Sequence, residues 1–251
     1  MTIGTVVLAG GKNSPEMAKA TGTENRALTP LGGQTMLDYV VSALAGAPSV
    51  GKIIVVGTVP QSERFVTVTP GETLLENLLA GLDAAGDGER VLISTSDIPF
   101  LTPDAVEDFM TRAIATGADL CCSYVPIALC IRKYPEMKRT SVKLGEGRFT
   151  LGNLMLVSPK FLRAQEGVIT AAYAARKSPI AVAKLLGGGL LLRMLGALLL
   201  PRLLPIGVLE AEVSRVLDGR VVGICSAYAE IGTDIDKPAD VALARRLLAN
   251  N

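Results

Sequence analysis

Six short apolar runs rich in valine and isoleucine recur along this chain, at residues 3–8, 53–56, 91–94, 120–125, 154–157 and 221–224, and longer helix-like stretches separate them. Strands spaced this way cannot be joined by tight hairpins; they need crossover connections, which put helices on the sheet faces and bury both of them. The pattern predicts an α/β protein with a mostly parallel sheet. At 251 residues the chain is long enough for one such domain with a full core, and a single domain over 1–251 is expected.

The stretches between the runs carry helix-start chemistry. Thr102 can cap a helix that Pro103 opens, with Asp104 favourably placed for the helix dipole. The last helix opens at Pro238 and presents Val241, Leu243, Leu247 and Leu248, and further helices are expected over 36–44, 73–84 and 210–217. Composition shifts at 185–209, a Leu- and Gly-rich stretch broken by Arg193, Pro201, Arg202 and Pro205, within an apolar helical insert at about 178–217. Its uncharged runs fall short of the roughly 20 apolar residues that span a bilayer, so no transmembrane segment is expected. It reads as a pair of buried or homodimer-forming helices, or as an exposed apolar flap in peripheral contact with a membrane or a lipid-like acceptor; the sequence leaves both open.

Composition narrows the chemistry. Lys plus Arg total 25 against 24 Asp plus Glu, so the basic excess that a nucleic-acid backbone demands is lacking. Cys121, Cys122, Cys130 and Cys225 form no C-x-x-C pair and there is no histidine, which argues against a zinc site and against Ser-His-Asp or Cys-His catalysis. The apolar run at 3–8 lacks a preceding basic region and stops at a glycine turn, unlike a signal peptide, and a reduced cytoplasmic location is expected. Carboxylates, lysines, arginines and a metal are left to carry any catalysis.

The first strand ends in Leu8-Ala9-Gly10-Gly11, and a polar loop continues through Lys12, Asn13 and Ser14 to Asn25-Arg26-Ala27-Leu28 and Pro30-Leu31-Gly32-Gly33. Glycines directly after a first strand let backbone N–H groups approach phosphate closely. Neither the Rossmann fingerprint nor the Walker-type P-loop is present. Asp97, in Ser96-Asp97-Ile98-Pro99-Phe100, follows the run at 91–94, and an aspartate just past the carboxyl end of a parallel strand lies where open α/β sheets bind ligands. Asp234-Ile235-Asp236-Lys237-Pro238-Ala239-Asp240 opens the last helix; Asp240 there reads as helix-start chemistry.

L-A-G-G, a polar loop, N-R-A-L-x-P-L-G-G and then a helix together resemble the signature of nucleotidyltransferases of the molybdenum-cofactor and sugar-phosphate type. The resemblance covers about the first 110 residues and the last 20, and implies a GT-A-like three-layer α/β/α domain, with 1–110 as the NTP-binding half and 111–251 as the acceptor half. It implies that the glycine loop wraps the NTP phosphates and base, and that Arg26, where the family usually has lysine, neutralises phosphate charge. Asp97 resembles the family's D-x-P metal motif, and Asp236, favoured over Asp234, the D-I-D-x-P segment. Thr150-Leu151-Gly152-Asn153 resembles a T-G-G-N acceptor-side piece, with Lys138-Arg139-Thr140 and Ala175-Arg176-Lys177-Ser178-Pro179 as basic clamps. The loop lacks the family's arginine soon after the glycines; Lys12 or Lys19 is the substitute.

The expected catalytic set is therefore Arg26, Asp97 and Asp236, with Mg²⁺ on the two aspartates. The NTP-side set is Leu8, Ala9, Gly10, Gly11, Lys12, Asn13, Arg26, Ser96 and Asn153. An NTP and a small phosphorylated acceptor are the expected substrates. Two alternatives stay open: a GT-A glycosyltransferase using a nucleotide sugar, although such enzymes usually carry D-x-D where this chain has Asp97-Ile98-Pro99, and a non-catalytic nucleotide-binding regulatory module, suggested by Arg26 and the altered loop.

Overall fold

A computed structural model describes residues 2–175, 196 and 200–249. β1 (Ile3–Leu8) lies between β4 (Val50–Val56) and β6 (Val91–Thr95), parallel to both, and β5 (Val66–Val68) extends the sheet in parallel beyond β4. β9 (Gly147–Val157) runs antiparallel between β6 and β7 (Leu120–Pro126), and β10 (Val221–Cys225) lies parallel to β7 at the far edge. The order β10-β7-β9-β6-β1-β4-β5, with β8 (Val142–Leu144) paired to β9, gives a mostly parallel eight-stranded sheet, while β2 (Pro30–Leu31) and β3 (Gln34–Thr35) form a separate antiparallel pair. The expected α/β class and its parallel core are present.

Alternation along β1 shows why both faces must be covered. Val7 points into a core shared with α2 (Met36–Ala45), α4 (Pro103–Thr116) and the helix Pro238–Leu248, where Val40, Phe109, Met110 and Val241 are buried. Val6 points the other way, with Ile54, Val56 and Ile93, against Leu78 and Leu82 of α3 (Leu74–Ala85). Successive strand residues face opposite sides, so a run of consecutive apolar residues is a strand buried on both faces. The result is three layers.

The helix starts are set locally. Thr102 Oγ1 accepts from the Ala105 N–H at 3.2 Å with Pro103 following, and Thr35 and Thr73 each open a capping box, with Asp38 and Glu76. Asp240 accepts from the N–H groups of Asp236 and Lys237, which bears out its reading as helix-start chemistry. Inside α3, Gly81 allows the helix to sit on the sheet: a Cβ there would run into Val6 and lie 3.1 Å from Val56 Cγ2. Gly81→Ala gains about 1 kcal/mol of helix propensity but overpacks at a cost of about 1–3 kcal/mol. The expected result is a lower urea midpoint; an unchanged or higher one would mean that α3 moves off the sheet without penalty.

Some elements differ from expectation. The polar loop after the glycines contains a helix, α1 (Pro15–Thr21), capped by Ser14 and stopped by Gly22 at φ 75°. The strand that carries the 154–157 run begins earlier, at Gly147, so the T-L-G-N piece is inside a strand, and the helix expected at 210–217 begins at Ile206. Of the Leu-rich stretch 185–209, residues 185–195 and 197–199 lie outside the described residues; in the remainder Leu204 is buried with Leu144, against Phe149 and Leu209. Among the described residues no helix is long and apolar enough to cross a membrane.

Candidate functional site

Strand order reverses direction at β1, since the chain builds outward to β4 and β5 on one side and then continues with β6 on the other. Crevices at the carboxyl ends of strands open at such switch points. Gly10 and Gly11 leave the end of β1, and Ser96 and Asp97 leave the end of β6, where Leu8 pairs with Thr95.

The glycine turn is held by its neighbours. The Ala9 N–H donates to Val56 carbonyl at 2.8 Å, and β4 approaches so closely that a Cβ on Gly57 would lie 2.6 Å from the Ala9 carbonyl oxygen. The loop then returns: Asn13 N–H donates to Glu24 carbonyl at 2.8 Å and Arg26 N–H to Gly11 carbonyl at 2.9 Å. Asn25 Oδ1 accepts from Ala27 N–H while its Nδ2 donates to Thr58 carbonyl at 2.8 Å, tying the loop to the end of β4. Gly10, Gly11, Lys12, Asn25, Thr58 and Asn77 line a cavity of about 490 Å³ here. Asn77 Oδ1 accepts from the Gly71 N–H at 2.7 Å, and its Nδ2 would lie 3.5 Å from a Cβ on Gly10.

Beside this cavity three carboxylates converge. One oxygen from each of Asp97, Asp234 and Asp236 lies within 4.8 Å of the others. The Ile235 N–H donates to the Asp97 carbonyl at 2.8 Å, which fixes the two segments together. Arg26 Nη1 reaches Asp97 Oδ2 at 3.2 Å and Asp236 Oδ1 at 2.6 Å, joining residues 71 and 210 positions apart in sequence. Asp97 Oδ1 is buried with no hydrogen-bond partner among the described residues. A cluster of hard carboxylate oxygens with one orphaned buried oxygen is a donor set that suits Mg²⁺.

Arg139 sits below the cluster with a side chain only 6% exposed and binds Asp234 Oδ1 at 2.6 Å. It is thus engaged within the protein, and the expected Lys138-Arg139-Thr140 acceptor clamp is reduced to its exposed members, Lys138 and Thr140. Residues 176–179 of the second expected clamp lie outside the described residues. Burial is the main reason that the Asp234 carboxyl is pushed up to about 7; Asp236 and Asp97 act in the same direction and Arg139 opposes them. Neutral Asp234 therefore stabilises the fold fully below its ordinary value of 3.8, and that contribution is lost as pH rises through about 7. In EDTA, the melting temperature of Asp234→Asn minus that of wild type should be larger at pH 8 than at pH 5. An equal difference at both would contradict the burial of a charged Asp234.

The other expected residues divide by location. Lys12 lines the cavity, whereas Asn13 donates through Nδ2 to Thr23 carbonyl at 3.0 Å and Thr29 Oγ1 at 3.2 Å, within the loop itself. Leu8 packs on the α3 side of the sheet, Ala9 is fully buried, and Ser96 is buried directly before Asp97. Asn153 Nδ2 donates to Ile231 carbonyl at 2.9 Å, bracing the short helix Ala229–Gly232 that leads to Asp234. Sequence reasoning missed Asn77, which carries no motif, the place of Asn25 on the cavity wall, which its position in the N-R-A-L segment did not reveal, and the buried pairing of Arg139, which no local pattern distinguishes from a surface charge.

Comparison with known proteins bears on the family and the fold. The family model of the MobA-like NTP transferase domain matches residues 5–132 of the 251. A 2-C-methyl-D-erythritol 4-phosphate cytidylyltransferase of Streptomyces coelicolor is 30% identical over 124 aligned positions, in a match that covers 43% of this chain and 46% of that protein, about half of that relative's length. A hypothetical transferase structure from Thermus thermophilus superposes with a TM-score of 0.84 at 33% identity, covering 96% of this chain and 100% of that one. A 2-C-methyl-D-erythritol 4-phosphate cytidylyltransferase structure, also from Thermus thermophilus, shares the fold, with a TM-score of 0.58 at 15% identity over 99% of this chain and 100% of that one.

Proposed function

This chain belongs to the MobA-like NTP transferase family, and from that premise we propose that it moves a nucleoside monophosphate from an NTP onto a small phosphorylated acceptor, releasing pyrophosphate. The observation that carries the reading is the meeting of Asp97, Asp236 and Arg26 beside the glycine turn. The cytidylyltransferase relative, which by its name acts on a sugar-alcohol phosphate, supports the same class of acceptor.

Each residue has a role that follows from its chemistry. The backbone N–H groups around Gly10 and Gly11, which carry no Cβ, can approach the phosphates closely. Lys12 and Arg26 balance triphosphate charge, and Arg26 presents a planar fork suited to phosphate oxygens. Asn77, its Oδ1 already engaged, offers Nδ2 as a donor to a carbonyl oxygen on the base. Asp97 and Asp236 would hold Mg²⁺, which supplies charge stabilisation for the departing pyrophosphate. Positioning and preorganised charge provide most of the rate.

A phosphate monoester as the attacking group needs no general base, because its second pKa is about 6 and it is ionised at neutral pH. That fits a chain with no histidine. The test is pyrophosphate release from each of the four NTPs with Mg²⁺ across a panel of sugar, polyol and pterin phosphates. One NTP and acceptor pair should give steady turnover. Silence across the whole panel, with nucleotide binding intact, would instead favour a regulatory module.

A further inference from the structure

Arg26 already joins the two carboxylates that would hold the proposed cation. Its Nη1 lies 2.6 Å from Asp236 Oδ1 and 3.2 Å from Asp97 Oδ2, so a divalent ion between these carboxylates, even one reaching the unpartnered Asp97 Oδ1, would sit beside the guanidinium and be repelled by it. Asp234, the third carboxylate of the cluster, is tied through Oδ1 to Arg139.

Arg26 is also rooted at the rim of the nucleotide cavity. Its backbone N–H donates to the Gly11 carbonyl at 2.9 Å, its Cβ would lie 3.9 Å from a Cβ on Gly11, and the residue before it, Asn25, lines the cavity. A triphosphate there would present several anionic oxygens to a side chain that already lies between the two sites. The Nε of Arg26 is buried with no partner among the described residues, so the side chain forgoes one hydrogen bond in its present position.

From this juxtaposition we infer that Arg26 is an exchange residue: without nucleotide it latches Asp97 to Asp236 and holds divalent ions out, and an incoming triphosphate draws it off so that metal and nucleotide enter together. The inference rests on the nucleotidyl-transfer reading. Its thermodynamic content is a coupling. A site closed to metal about nine-tenths of the time has its apparent metal affinity lowered about tenfold, and whatever nucleotide does for metal binding, metal does equally for nucleotide binding.

The test is Mn²⁺ titration, followed by the EPR signal of free Mn²⁺, for wild type and Arg26→Gln, each alone and with α,β-methylene NTP analogues. Arg26→Gln should bind Mn²⁺ alone about tenfold more tightly than wild type, and the analogue should enhance Mn²⁺ binding about tenfold more in wild type than in the variant. Equal Mn²⁺ affinity of the two proteins without analogue overturns the latch while leaving the metal reading intact. No Mn²⁺ binding in either protein with any analogue overturns both. Should Arg26→Gln fail to fold, the Arg26 side-chain N–H signal of ¹⁵N-arginine-labelled wild type decides: it should move with Mg²⁺ plus analogue and not with Mg²⁺ alone. A shift with Mg²⁺ alone, or none with both, overturns the latch.

Discussion

Asp97→Asn should lower pyrophosphate release by about 10³-fold while leaving the fold intact. The substitution keeps the shape of the side chain and removes one charge. Asp97 Oδ1 is buried without a partner among the described residues, and Oδ2 faces Arg26 at 3.2 Å. Losing that charge leaves Arg26 its shorter contact to Asp236 at 2.6 Å and relieves repulsion among three clustered carboxylates. Stability should therefore change little, and the melting temperature of the metal-free protein can rise slightly. The loss should appear in kcat rather than KM, since a charge matched to the departing pyrophosphate acts mainly in the transition state. A loss smaller than about tenfold would remove Asp97 from the reaction.

Gly152→Val should destabilise the protein by about 2–3 kcal/mol, which for a chain of this size is about 4–12 °C in melting temperature. A Cβ at 152 would collide with Ser123 Oγ and lie 2.7 Å from Ile231 Cγ2. Neither neighbour can yield easily. Ser123 Oγ donates to Leu154 carbonyl at 2.8 Å and accepts from Leu154 N–H at 3.1 Å, and Ile231 is fully buried in the short helix that leads to Asp234 and Asp236. Displacing that helix should also reduce the activity of the molecules that remain folded. Leu151→Ser is the control: Leu151 is 76% exposed and its loss should stay within about 0.5 kcal/mol. Equal melting of the two variants would mean that β9 does not support the aspartate segment.

These two positions mark what the sequence did and did not make legible. β1 was readable to the residue and β6 nearly so, because strands buried on both faces are continuous apolar runs and the switch point follows from their order. Asp97 was legible for the same reason, as the polar residue that follows such a run. The segment Phe149–Asn153 was not, since glycine and asparagine are poor strand formers and its place in β9 is decided by pairing with β7 and packing against Ile231. Asp236 could be named from its motif. Its pairing with Arg26 could not, because a contact across 210 positions leaves no local trace. Arg139 reads in the sequence as part of a basic acceptor clamp beside Lys138, and only the burial of its side chain shows that it serves Asp234. α1 was hidden by its small size and mixed composition, seven residues within a polar loop.

The most direct test of the carboxylate site is a crystal grown with Mn²⁺ and a non-hydrolysable NTP analogue, measured at the manganese absorption edge. An anomalous peak about 2.0–2.4 Å from carboxylate oxygens of both Asp97 and Asp236, with the phosphates against Gly10 and Gly11, is the expected result. Nucleotide bound in the glycine cavity with manganese elsewhere, or with Arg26 still bridging Asp97 and Asp236, would contradict it.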